Sequence, residues 1–215
     1  MKGVIALEIL RKLEKKTGKK IHQLFDYCIG VSTGSIIIGL LALKKMSVDE
    51  AAQIYQDIGA QVFEQTYLKA VKGMVTSQAY YDTLKYETFL KDFAGEEVMA
   101  TSVRDPEVPR VAFVSAIMSP SRHSVSPFIF RNYAMPFMVT SNYRGSSRFK
   151  TWEAVRASSA APGFFDDFRT QGLVFQDGAL IANNPASVGL HEAKHLWPKE
   201  KLQCLVSRKI ISGGR

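Results

Sequence analysis

Cysteine is scarce in this chain. Its 215 residues include two, Cys28 and Cys204, each inside an apolar segment. Two such thiols exclude a disulfide scaffold and read as buried groups in a reducing, intracellular compartment. Long apolar runs are missing as well. The longest, Ile36 to Leu43, is too short to span a bilayer. The first residues read as no secretory signal, because Glu8 breaks their apolar stretch. Neither G-x-x-x-x-G-K-[ST] nor G-x-G-x-x-G occurs, so nothing predicts a cradle for nucleotide phosphates. Repeats and low-complexity tracts are also absent. What remains is a composition of 46% hydrophobic and 22% charged residues, suited to one globular domain with a real core.

Acidic residues are missing locally. The formal net charge is +8, and no Asp or Glu lies between Val108 and Trp152. That stretch holds Arg110, Arg122, Arg131, Arg144, Arg148 and Lys150, interleaved with Phe128, Phe130, Tyr133, Met135, Pro136, Phe137 and Met138. Three readings fit. Phe128 to Tyr133 is a core strand and the arginines are solvated; the segment meets anionic phospholipid; or it binds single-stranded nucleic acid.

The most informative motif is Gly30-Val31-Ser32-Thr33-Gly34. An apolar segment, Leu24 to Ile29, precedes it, and the apolar run from Ser35 to Leu43 follows. Strand, G-x-S-x-G, then helix is the setting of a nucleophile elbow. The glycines relieve a tight bend, and Ser32 is presented where helix N–H groups favour a developing oxyanion.

A serine hydroxyl needs a base. Asp177-Gly178-Ala179 follows a predicted strand at Leu173 to Phe175 and precedes Asn183-Asn184-Pro185. A partly desolvated carboxylate there suits proton acceptance from Ser32, although Asp-Gly turns are common. A Ser-Asp-His order is available through His191 or His195, but both fall inside a predicted helix; His22 and His123 precede Asp177. His191-Glu192-Ala193-Lys194-His195 also spells H-E-x-x-H, a zinc-peptidase pattern weakened by Pro198 and by the lack of a third ligand.

Periodicity completes a coarse plan. Ile5, Ile9, Leu10 and Leu13 predict a helix stopped by Gly18. Ser47-Val48-Asp49-Glu50 is a capping box for a helix running through Val62. Gly73 to Ala79 reads as a loop, Tyr86 to Phe93 as a helix, and Thr101 to Pro109 as a loop. Val111 to Ile117 and Phe128 to Phe130 read as strands, and Thr151 caps a helix ended by Pro162-Gly163. Pro185 opens a helix to about Leu196, and Leu202 to Val206 reads as a last strand. This alternation predicts an α/β domain with a mainly parallel sheet.

Gly30 to Gly34, Ala157-Ser158-Ser159-Ala160-Ala161-Pro162-Gly163, and Asp177-Gly178-Ala179 with Asn183-Asn184-Pro185 together resemble the patatin-like phospholipase domain. Phe25 to Gly34, Phe130-Arg131-Asn132-Tyr133 and His191 to Pro198 further resemble its calcium-independent branch. The resemblance spans about Gly3 to Ser207, giving a domain over 1–207 and a divergent tail over 208–215. It implies a single α/β domain, its sheet flanked by helices. It implies Ser32 as nucleophile and Asp177 as base, with Gly30, Val31, Thr33, Gly34, Gly178 and Ala179 as motif positions. The implied substrate is a glycerophospholipid at a phospholipid membrane surface, with no cofactor, no catalytic metal, calcium included, and no nucleic acid partner. The implied location is intracellular and peripheral to mitochondrial, peroxisomal or endoplasmic-reticulum membrane.

The chain departs from the pattern at both ends. The family's oxyanion loop is glycine-rich and closes the first strand; only Lys2-Gly3 match its end, so Gly3 alone is carried over and the first strand is lacking. Arg208 to Arg215 match nothing in the pattern. The expectation is a fragment, splice form or incomplete gene model that is weakly active or inactive. One lost oxyanion donor alone costs roughly a hundredfold to a thousandfold in rate. Action on neutral glycerides or lysophospholipids, and a non-catalytic lipid-binding or regulatory role, are the competing expectations.

Overall fold

Val111-Ala112-Phe113-Val114-Ser115-Ala116-Ile117 shows no alternation of apolar and polar residues, the pattern of a strand covered on both faces. In the computed structural model, which describes residues 3–60, 82–119 and 124–203, all seven are buried. They form most of β2 (Arg110–Ser119), the spine of a six-stranded sheet.

One edge of β2 pairs antiparallel with β3 (Ser124–Arg131), from Ala112 opposite Arg131 to Ser119 opposite Ser124. Only four residues separate these strands, too few for a crossover, so the pair has to be antiparallel. β3 pairs parallel with β4 (Arg144–Ser146). The other edge of β2 is shared by two strands. β1 (Tyr27–Val31) runs parallel to Arg110–Val114, while β6 (Leu173–Asp177) runs antiparallel to Ser115–Met118. β1 and β6 therefore approach each other head-on, and their C-terminal ends meet where Val114 gives way to Ser115. β5 (Phe168–Thr170) closes against β6 through Gln171-Gly172, both at positive φ, which suits a tight two-residue hairpin. The sheet is thus mixed, with β1–β2 and β3–β4 parallel and the other three pairings antiparallel. Among the described residues, β1 pairs with β2 alone.

Side chains alternate across β2 into two cores. Val111, Phe113 and Ile117 face α1 (Gly3–Thr17), α2 (Thr33–Ile38), α3 (Val48–Ile58), α4 (Thr83–Ala94) and α5 (Thr151–Ser158). Ala112 and Val114 face α6 (Ala179–Ala182) and α7 (Ala186–Leu196). Phe128, Phe130, Phe149 and Phe175 interlock in the first core with ring centroids 4.9–6.0 Å apart, mostly edge to face.

Local signals place most boundaries. Ser47 Oγ accepts from the Glu50 N–H while Glu50 Oε2 accepts from the Ser47 N–H, closing the capping box of α3. Gly18 ends α1 at φ +68°. The buried side of α1 differs from the expected stripe: Leu7 is buried, Leu10 and Leu13 pack beside it, and Ile5 and Ile9 face solvent. The helix after the elbow is α-helical to Ile38 and then widens into a π-turn over Gly39–Leu43. Lys150, not Thr151, takes the N-cap position of α5. Leu202 and Gln203 are not in a strand. Val62, the Gly73–Ala79 loop, Arg122, His123, Cys204 and the 208–215 tail lie outside the described residues.

Candidate active site

The head-on meeting of β1 and β6 creates the site. Ser32 follows Val31, which lies opposite Val114; Asp177 lies opposite Ser115, the next residue of β2. Two residues 145 positions apart in sequence are thereby delivered to one point, and Ser32 Oγ donates to Asp177 Oδ2 at 2.6 Å.

The turn at Ser32 is strained. Its φ of 54° and ψ of −125° lie outside the regions that suit a residue with a Cβ, a conformation that costs about 1–3 kcal/mol. Its surroundings hold it there. A Cβ on Gly30 would sit 2.6 Å from the Gly34 carbonyl oxygen, so only glycine lets the chain fold back this tightly. Gly34 is different: a Cβ there meets no atom within 4 Å, so open space and not crowding surrounds this motif position. Thr33 begins α2, whose first N–H groups have no acceptor inside the helix.

Asp177 is buried and locally fixed. Its Oδ1 accepts from the Ala179 N–H at 2.7 Å, and its own N–H donates to the Ala160 carbonyl at 2.8 Å. A Cβ on Gly178 would lie 2.2 Å from the Val114 carbonyl oxygen, so a glycine is required where the turn crosses β2.

Ser158, whose motif the sequence singled out without giving this residue a role, ties the two halves together. Its Oγ accepts from the Ser32 N–H at 3.0 Å and donates to the Val114 carbonyl at 2.6 Å; its own carbonyl accepts from the Gly178 N–H at 3.2 Å. Ser115 adds a second brace, with its hydroxyl 2.8 Å from the carbonyls of both Ala157 and Gln176. Tyr86 of α4 pairs with the neighbouring Ser159 hydroxyl at 2.7 Å, and burial pushes its phenol up to about 12.

The remaining sequence candidates have other partners. Gly3 is the first residue of α1 and sits directly against the Tyr55 hydroxyl of α3, where a Cβ would be 2.4 Å away. His191 Nε2 accepts from the Asn142 N–H, and the His195 ring nitrogen Nδ1 lies 2.7 Å from the His191 carbonyl; the two rings lie with centroids 4.2 Å apart and planes inclined at 44°. Burial, then the neighbouring His195, lowers the His191 pKa. The H-E-x-x-H glutamate turns away from both imidazoles. Glu192 is fully buried, held by Arg131 through Nε at 2.6 Å and Nη2 at 2.9 Å, by the Tyr133 hydroxyl at 2.8 Å and by the Ser141 hydroxyl at 2.5 Å. A carboxylate so engaged is not placed to serve a metal-bound water. Among the described residues no three His, Cys, Asp or Glu side chains cluster as ligands would.

The basic, acid-free segment divides. Phe128 to Tyr133 is indeed core, and Arg131 turns inward to Glu192. Arg144 and Arg148 are exposed.

Fold and site together define a class: a mixed α/β protein with a serine on a strained strand-to-helix elbow, hydrogen-bonded to a buried aspartate at the end of a neighbouring strand. The model of the patatin-like phospholipase family matches residues 1–190, and the chain belongs to that family. It is 44% identical over 206 residues to the calcium-independent phospholipase A2-gamma of Rattus norvegicus and 43% over 208 residues to that of Homo sapiens, each alignment covering 96% of this chain and 26% of the relative. Phospholipase A I of Arabidopsis thaliana is 31% identical over 259 residues, covering 96% of this chain and 20% of that protein. The chain thus spans about a quarter of the length of the curated relatives it matches, or less. Among the described residues no helix is long and apolar enough to cross a membrane.

Proposed function

We propose that this chain hydrolyses fatty acyl esters of glycerophospholipids at an intracellular membrane surface, with Ser32 as nucleophile and Asp177 as general base. The observation that carries this reading is the 2.6 Å hydrogen bond from Ser32 Oγ to Asp177 Oδ2 on a strained elbow. Relatives named as phospholipases A support the substrate class, and those named calcium-independent support a reaction without that ion.

Asp177 accepts the Ser32 proton as Oγ attacks the acyl carbonyl carbon. The tetrahedral oxyanion is stabilised by N–H groups at the start of α2, beside the open space around Gly34. Collapse breaks the ester bond. The lysophospholipid alkoxide leaves with the proton held by Asp177, and Ser32 keeps the acyl group. Asp177 then takes a proton from water, the hydroxide attacks the acyl carbonyl, and fatty acid departs as Ser32 is reprotonated. One carboxylate serves both half-reactions, so no histidine is needed.

Fatty acid release from phospholipid vesicles, measured with a calcium chelator present, tests the reading together with labelling by a fluorophosphonate. Ser32→Ala abolishes labelling, and Asp177→Asn lowers turnover by about 10³–10⁴-fold, as expected when a base is replaced by an isostere. Equal labelling of Ser32→Ala and the parent chain would exclude Ser32 as the reactive group.

A further inference from the structure

Between β3 and β4 the chain makes an excursion over residues 132–143 whose stem is rigid. The Asn132 N–H donates to the Val111 carbonyl at 3.0 Å, its Oδ1 accepts from the Val111 N–H at 2.7 Å, and its Nδ2 donates to the Pro109 carbonyl at 3.0 Å. Tyr133 and Ser141 are both bound to the buried Glu192. Met135 packs inward against the cluster that also takes Ala179 and Ala182 of α6, so the loop shares a layer with the helix that follows Asp177.

The tip of this loop does the opposite. Phe137 is 93% exposed and Met138 88%, the two most exposed large apolar side chains among the described residues. Their presentation is fixed locally: Met138 adopts φ +62°, and the Val139 N–H donates to the Pro136 carbonyl at 3.0 Å. Two large apolar groups held out from a braced stem are unfavourable in water and favourable in a lipid interface.

Beside the loop, with Ala134 and Pro136 in its wall, lies a cavity of about 530 Å³, lined also by Asn132, Tyr133, Ser147, Trp197 and Arg110. Among the described residues no carboxylate pairs with Arg110, nor with the exposed Arg144 or Arg148 on the same acid-free stretch. A guanidinium without a carboxylate partner, in a cavity lined by both apolar and polar groups, suits an anion. Phosphate next to hydrocarbon is the chemistry of a phospholipid at a bilayer surface. A single-stranded nucleic acid groove instead needs successive stacking platforms along a basic track, and this tip offers one ring.

We propose that the 134–139 loop and the Arg110 cavity form a docking site for anionic phospholipid, separate from the Ser32–Asp177 pair. Phe137 and Met138 enter the interface, and Arg110 takes the headgroup phosphate. The proposal rests on the reading of the chain as a lipid-surface hydrolase, and it is tested by binding, not by turnover.

The full chain is sedimented with neutral phosphatidylcholine vesicles and with vesicles containing about one part in four phosphatidylserine, at low and high salt. Hydrolysis of a dispersed short-chain ester is measured in parallel. Phe137→Asp combined with Met138→Asp lowers vesicle binding by about tenfold or more and leaves short-chain hydrolysis and thermal melting unchanged. Arg110→Gln weakens binding to anionic vesicles selectively and leaves the weak binding to neutral ones. Anionic-vesicle binding that is unchanged in the double variant, or absent in the parent chain, overturns the docking site. So does capture of oligothymidylate in place of vesicles. A parent chain that binds vesicles but does not hydrolyse the short-chain ester overturns the hydrolase reading and leaves the docking result intact.

Discussion

At the scale of single residues, the site depends on a side chain outside the Ser32–Asp177 pair. Ser158 is buried, and its hydroxyl is the only contact named above that touches both the Ser32 backbone and the Val114 carbonyl, while its own carbonyl holds Gly178. It therefore fixes how far apart the serine and the aspartate stand. Ser158→Ala strands the Ser32 N–H and one acceptor position of Val114, at a cost of about 1–3 kcal/mol. A shift of the elbow by even a fraction of an ångström penalises a reaction that requires aligned atoms, so the rate of fluorophosphonate labelling falls by about tenfold to a hundredfold at temperatures where the variant is fully folded. A merely structural role would lower the melting temperature and leave that rate unchanged, so an unchanged rate would remove Ser158 from the positioning machinery.

At the scale of elements, α7 is secured to the sheet by charge inside an apolar layer. Burial alone would raise the Glu192 carboxyl, but hydrogen bonds from Arg131, Ser141 and Tyr133 outweigh it and hold the group below the ordinary 4.5. A carboxyl held low binds its proton more weakly in the folded chain than in the unfolded one. Its stabilisation is complete above pH 4.5 and is lost as pH falls through the folded value. Glu192→Gln leaves the Arg131 guanidinium buried without its counter-charge, which costs about 3–5 kcal/mol at neutral pH. The stability gap between parent and variant, read from denaturant midpoints, narrows between about pH 7 and about pH 3; a gap of equal size at both would contradict the assignment. The double change Arg131→Met with Glu192→Met recovers much of the loss, because an apolar pair has no charge to compensate. This lock also marks where sequence reading stops. The capping box at Ser47, the stop at Gly18 and the apolar run of β2 are local signals, and each appears in the fold where it was expected. Glu192 reads locally as part of H-E-x-x-H, because its partner lies 61 residues away and nothing nearby in the chain announces the pairing. β4 and β5, at three residues each, are too short to carry a period, and the buried side of α1 is chosen by its packing on α3, Tyr55 included, and on α2, not by its own spacing. Strand direction escapes for the same reason: which edge of β2 receives β6 is decided by tertiary packing.

At the scale of the whole molecule, the Ser32–Asp177 pair is a seam between two strands that each pair with β2 and not with each other. The elbow and the Asp-Gly turn are legible separately in the sequence. Their meeting is not, because it is a property of the assembled sheet. The pair should therefore exist only in the globally folded chain. Phe130 offers the test, since it is fully buried in the aromatic cluster with Phe128, Phe149 and Phe175 and lies on β3, which pairs with the opposite edge of β2 from the seam. Phe130→Ala removes a ring from a close-packed core and costs about 3–5 kcal/mol. Denaturant titrations followed in parallel by circular dichroism and by fluorophosphonate labelling should give one midpoint for both signals, lowered together in the variant with the slope unchanged. Labelling of the remaining folded molecules should match the parent. If instead labelling is lost well before the circular dichroism changes, the seam opens on its own, and the two strands hold the serine and aspartate together less firmly than their pairing to β2 implies.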